Sequence, residues 1–176
     1  MNFYIQNYIQ HTKCYTEYMK IKKPKLLILS IVFSQLAGFV GAFATTPAIP
    51  GWYSTLIKPN FNPPSWIFGP VWTALYTLMG ISLYLVWSKG FHTKNVKPAV
   101  QLFVVHLVFN SLWSIAFFGL KNIALALLII IILWTMIAYL IKLFWKINKK
   151  ASYLLIPYIL WVSFATVLNY SIWILN

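Results

Sequence analysis

Apolar and polar positions divide this chain into a polar opening, residues 1–25, and five long apolar stretches at 26–46, 64–88, 98–119, 122–144 and 151–174. Each stretch is about the 20 residues that a helix needs to cross roughly 30 Å of hydrocarbon. The alternating strands of about ten residues that build a membrane barrel are missing, and so is any repeat of about 20–50 residues. The expected fold is all-α and integral to a membrane. It comprises one five-helix transmembrane domain over 26–176, with an ordered connection between helices one and two, and an extension over 1–25 that is flexible or interfacial. The segment "GAFAT" at 41–45 resembles a signal-peptidase site, but the polar lead and the apolar run are both long for a signal, so the first stretch is read as a retained helix.

Helical spacing then sorts the stretches into faces. On the second, Gly69, Trp72, Tyr76, Gly80 and Trp87 form one stripe; on the third, His106, Asn110, Trp113, Ser114 and Phe117; on the fifth, Pro157, Trp161, Ala165, Leu168 and Asn169. Polar atoms at membrane depth belong toward the bundle interior. Membrane tryptophans usually sit at the headgroup level, yet Trp72, Trp113, Trp134 and Trp161 fall inside their spans, where each indole N–H needs a partner. Two readings are open. The amides and hydroxyls are glue between helices, or three helices surround a pocket for a large, planar, apolar ligand, with Gly69, Gly80 and Ala165 leaving room. Pro157 removes the hydrogen bond to the Tyr153 carbonyl, which predicts a kink opening space beside Trp161.

Between the first two stretches Pro47 and Pro50 are expected to end a helix, and Asn62 or Pro63 to start the next. The intervening Trp52, Tyr53, Leu56, Pro59, Phe61 and Pro63 are too apolar and too stiff for a plain solvated loop. They read as a lid over the interior, or else as a belt resting on headgroups.

Composition agrees with the pattern: 61% of residues are hydrophobic, 19% aromatic and 9% charged, leaving too little polar surface for a water-soluble domain. The net charge of +13 comes from fourteen lysines, with no arginine. All but Lys58 and Lys121 lie before the first stretch, or in or at the edge of the second and fourth connections, which puts the N-terminus in the cytoplasm if insertion is into an inner membrane. Such a face suits anionic lipid; nucleic-acid binding would need a basic groove with base-stacking groups and is not expected. The one acidic side chain, Glu17, lies in the extension, so carboxylate pairs, proton relays and carboxylate metal sites are excluded from the spans. Cys14 is alone and forms no internal disulfide, and His11 and His92 show no metal-ligand spacing.

Three long motifs in order, W-Y-x-x-L-x-K-P-x-F-x-P-P-x-x-x-F-x-P-V-W-x-x-L-Y at 52–76, "NSLWSIAFFGLKN" at 110–122 and "LLIPYILWVSFATVLN" at 154–169, strongly resemble the tryptophan-rich sensory protein and translocator protein family, the peripheral benzodiazepine receptors. The resemblance covers about residues 26–176. It implies a five-helix bundle, often a homodimer, that binds porphyrins, and in some members cholesterol or drugs, under the first loop. The family's ligand positions match Trp52, Tyr53, Pro59, Phe61, Trp72, Tyr76, Asn110, Trp161 and Ala165. In similar bacterial members the tryptophans matching Trp72 and Trp161 are implicated in light-dependent breakdown of protoporphyrin, which would make these two the catalytic residues of such an activity.

Lys58 is a candidate partner for a propionate. His106 stands where many members carry glutamine; it is kept with the ligand positions as a hydrogen-bonding core histidine rather than an axial haem ligand. Tyr170 is followed by "SIWILN", which lacks the basic residue of the animal cholesterol motif and disfavours sterol. A receptor or regulator binding porphyrin is the preferred function, with no required cofactor and no metal. Porphyrin degradation and transport of porphyrins or other amphipaths are the alternatives, although no inverted repeat or intramembrane acid supports transport. The homodimer draws weak support from Ala37, Gly41 and Thr45 at four-residue spacing.

Overall fold

A computed structural model describes residues 23–176. Most of the expected extension, with Cys14, Glu17 and His11, lies outside the described residues. The first helix, α1 (Pro24–Ala48), starts two residues before the expected boundary, with proline in its first turn where a missing N–H costs nothing. There follow α2 (Phe68–Trp87), α3 (Val96–Ser114), α4 (Ile123–Ile147), α5 (Lys149–Leu154) and α6 (Ile156–Leu175). With their end turns these make five helices long and apolar enough to cross a membrane, the last being α5 and α6 together. No strand occurs among the described residues.

The spans close into a ring. α1 packs on α2 and α3, α3 on α4, α4 on α5 and α6, and α5 and α6 on α2. Because lipid is as apolar as leucine, close packing and hydrogen bonds between helices hold such a bundle. Gly80 shows the packing. A Cβ there would sit 2.5 Å from the Ile31 Cα, so the glycine lets the α1 and α2 backbones touch. This corrects the expectation that Gly80 opens pocket space. Serines supply the bonds: buried Ser82 Oγ donates to the Ala151 carbonyl (2.7 Å), buried Ser152 Oγ to Ile141 (2.9 Å) and half-buried Ser111 Oγ to Ala37 (2.9 Å). Ala37 and Gly41, offered above for a dimer, thus lie against α3, where a Cβ on Gly41 would come 3.0 Å from Ser114 Oγ.

Three helix ends depart from expectation. Pro47 lies inside α1, and the chain continues through a widened turn at Ile49–Tyr53 with a kink at Gly51 (φ −93°, ψ −105°). Pro64 is extended (ψ 138°), so the second span opens later than Asn62 or Pro63, through a tight turn at Ser65–Ile67. The break in the last span falls at Leu155, before the proline. Pro157 itself is exposed in the first turn of α6, and its neighbour Tyr158 takes the interior position.

Candidate functional site

A cavity of about 720 Å³ lies among α1, α2, the α3 end and α6. From α2 and the tight turn that opens it the cavity takes Ser65, Phe68, Gly69, Trp72, Thr73 and Tyr76, and from α6 Trp161, Phe164, Ala165, Leu168, Asn169 and Ile172. Both sets follow the i, i+3, i+4, i+7, i+8, i+11 spacing of a single helical face. Trp113, Ser114, Phe117 and Phe118 close one wall and Tyr53 caps it from the loop. The α3 end widens at Ile115–Gly119, where the Leu120 N–H reaches the Ile115 carbonyl (2.8 Å), and this turn seats Phe117 and Phe118 beside Trp113.

The cavity surface is largely apolar, and several of its polar side chains are turned onto partners of their own. Trp113 Nε1 donates to Asn169 Oδ1 (3.1 Å), whose amide donates to the Ile123 carbonyl (3.0 Å). Gln35 Nε2 donates to the Thr73 carbonyl and to Thr77 Oγ1, each at 3.0 Å. Trp72 stacks on Tyr76 (centroids 5.5 Å, 28° between planes) and tilts toward Trp113 (6.4 Å). Trp161 leans on Phe68 and Phe164. Neither Trp72 nor Trp161 finds a hydrogen-bond partner for its N–H among the described residues, and neither N–H is sealed from its surroundings. Trp134, the remaining tryptophan expected inside a span, instead faces outward with its N–H on Ser163 Oγ (2.8 Å).

Of the residues expected at the site, Tyr53, Trp72, Tyr76, Trp161 and Ala165 line this cavity. Asn110 stands behind it: its carbonyl oxygen accepts a hydrogen bond from the Tyr76 hydroxyl, and its amide donates to the Tyr158 hydroxyl (2.9 Å). His106 is fully buried one turn earlier, bonded through Nδ1 to the Phe103 carbonyl and wedged between the Phe103 and Tyr158 rings, away from the cavity. Trp52, Lys58, Pro59 and Phe61 form the roof without lining the hollow. Trp52 meets Phe117 edge-on (5.6 Å) and Phe61 meets Phe164 (6.2 Å). Lys58 turns back on its own loop, donating to the Leu56 and Ser54 carbonyls (2.9 and 3.2 Å) above the Tyr53 ring, so its ammonium is not presented to the cavity.

The α1 face was missed: Gln35, Gly38, Ala42, Thr45 and Ile49 all line the cavity. Its signal is a stripe of small and polar residues, Gln35, Gly38, Ala42 and Thr45, at i, i+3, i+7 and i+10 in an otherwise bulky helix. The roof is held at two points. The Tyr53 hydroxyl donates to Asn62 Oδ1 (2.7 Å), and the Asn176 side-chain amide both donates to the Ile57 carbonyl and accepts from the Ile57 N–H (3.0 Å each).

Known proteins match over this same architecture. The TspO/MBR family profile covers residues 30–174. A tryptophan-rich protein TspO from Archaeoglobus fulgidus is 43% identical over 85% of this chain and 96% of its own length. Another of that name from Chlorobaculum tepidum is 41% identical over 85% and 95%. The human translocator protein is 36% identical over 78% of this chain and 85% of its own. With the family profile spanning every wall of the cavity, this chain belongs to the TspO/MBR family of membrane proteins.

Proposed function

We propose that the chain is a membrane receptor or regulator that binds porphyrins, protoporphyrin in particular, in the cavity beneath the 1–2 loop. One observation carries the reading: two indoles, Trp72 and Trp161, border an apolar hollow of about 720 Å³ with their N–H donors unpartnered among the described residues. The volume falls within the range of about 300–1,000 Å³ usual for small-molecule sites. A flat conjugated ring gains offset stacking on the indoles, and a polar edge gains their donors. Lys58, engaged with loop carbonyls, is not needed. Titrating the purified protein with protoporphyrin while following tryptophan fluorescence should give saturable quenching, with affinity reduced about tenfold in Trp161→Phe. Absence of saturation, or quenching untouched by that change, overturns the proposal.

The run of oxidisable rings Tyr76, Trp72 and Trp113 supports a second reading, light-driven oxidation of the bound tetrapyrrole by dioxygen. It requires a chemically altered product under illumination that is lost in Trp72→Phe with Trp161→Phe, whereas a receptor returns its ligand unchanged. The preferred location is a bacterial inner membrane, where the lysine distribution puts the residue-23 end in the cytoplasm; an outer membrane is the alternative. A homodimer, implied by the family resemblance, would use a surface other than Ala37 and Gly41; cross-linking that yields monomer alone counts against it.

A further inference from the structure

We infer that the hairpin between the last two spans is a binding site for the phosphate headgroup of an anionic phospholipid. α4 ends at Ile147, Asn148 turns the chain within one residue while its side chain accepts from the Lys150 N–H (3.0 Å), and α5 begins at Lys149. This reversal gathers Lys142 and Lys146 from the last turns of α4 with Lys149 and Lys150 from the start of α5, and all four are exposed. At the same level Trp145 and Tyr153 pair edge to face at 5.3 Å, both well exposed, with the Lys149 ammonium 5.2 Å above the indole.

Charge complementarity names the occupant. Among the described residues there is no acidic side chain for these lysines, since the only one in the sequence is Glu17. A membrane anion is the available partner, and a basic cluster beside a span attracts acidic lipid. Topology alone asks only for lysines on this side; it does not ask for an indole and a phenol among them. Those rings suit the glycerol region just below a headgroup, where amphipathic aromatics settle. A phospholipid meets both halves of the site, and a soluble phosphate meets one.

The test is native mass spectrometry of the full chain released from bilayer discs of equal phosphatidylglycerol and phosphatidylcholine, counting retained lipid. The expected result is a preference for phosphatidylglycerol of about fivefold or more. It should disappear in the variant Lys142→Gln, Lys146→Gln, Lys149→Gln, Lys150→Gln. It should survive in Lys25→Gln, Lys89→Gln, Lys94→Gln, Lys97→Gln, which removes the same charge elsewhere at this end. Trp145→Leu, which keeps every charge, should weaken it about threefold. Equal loss in the two quadruple variants would reveal a diffuse field and overturn the site. So would no preference in the parent protein, an unaffected Trp145→Leu, or displacement of the lipid by inorganic phosphate.

Discussion

The Tyr76 ring is held from three directions: Asn110 accepts a hydrogen bond from its hydroxyl, Trp72 stacks on its face, and the missing side chain of Gly38 leaves room for its edge. A Cβ at Gly38 would collide with that ring, so Gly38→Val must push Tyr76 into the cavity or spread α1 from α2. The expected loss is about 1–3 kcal/mol, read by unfolding in denaturing detergent, together with weaker protoporphyrin quenching. Asn110→Leu leaves two buried hydroxyls without their shared partner and should cost about 1–2 kcal/mol. His106 gives the opposite expectation. Its Nε2 has no partner, so His106→Leu removes an unmet polar atom and should leave stability within about 1 kcal/mol of the parent. A large loss in His106→Leu and none in Asn110→Leu would reverse this assignment.

Among the helices, the proline of the last span separates two causes that look alike in a sequence. Leu155 carries the break and Pro157 stands exposed in the first turn of α6, where its missing N–H is harmless. Pro157→Ala should therefore leave quenching affinity within about twofold of the parent; a tenfold loss would return the kink to the proline. The faces of α2 and α6 were legible because aromatic, small and amide residues recur there at helical spacing. The face of α1 was hidden, since phenylalanines and leucines suit lipid and interior equally and only Gln35, Gly38 and Thr45 mark the difference. Gly80 was assigned to the cavity for the same reason: smallness alone does not tell an open space from a neighbouring backbone.

Across the whole molecule, the five-span bundle was readable from apolar length, and the motifs located most of one cavity wall. The path of the loop and the contacts joining distant parts of the chain were not readable. Lys58 looked free for an anion, yet its loop folds so that nearby carbonyls reach it first. Nothing in sequence spacing links Ile57 to Asn176, 119 positions apart. Asn176→Ala should remove both bonds of that pair and loosen the roof. Stopped-flow traces should then show protoporphyrin arriving and leaving faster, with the equilibrium constant changed by less than about threefold. Unchanged rates would mean that the roof does not control passage.

The pairing of Asn176 with Ile57 has a mechanical meaning too. Asn176 follows directly on the helix that carries Trp161, so the wall of the chamber and its ceiling are parts of one lever. Raising the ceiling must either break the two bonds to the Asn176 side chain or pull on the final turn that carries it. Deuterium uptake at the Ile57 amide and at the amides near Ile172 should therefore keep the same tempo, and a guest that stills one should still the other.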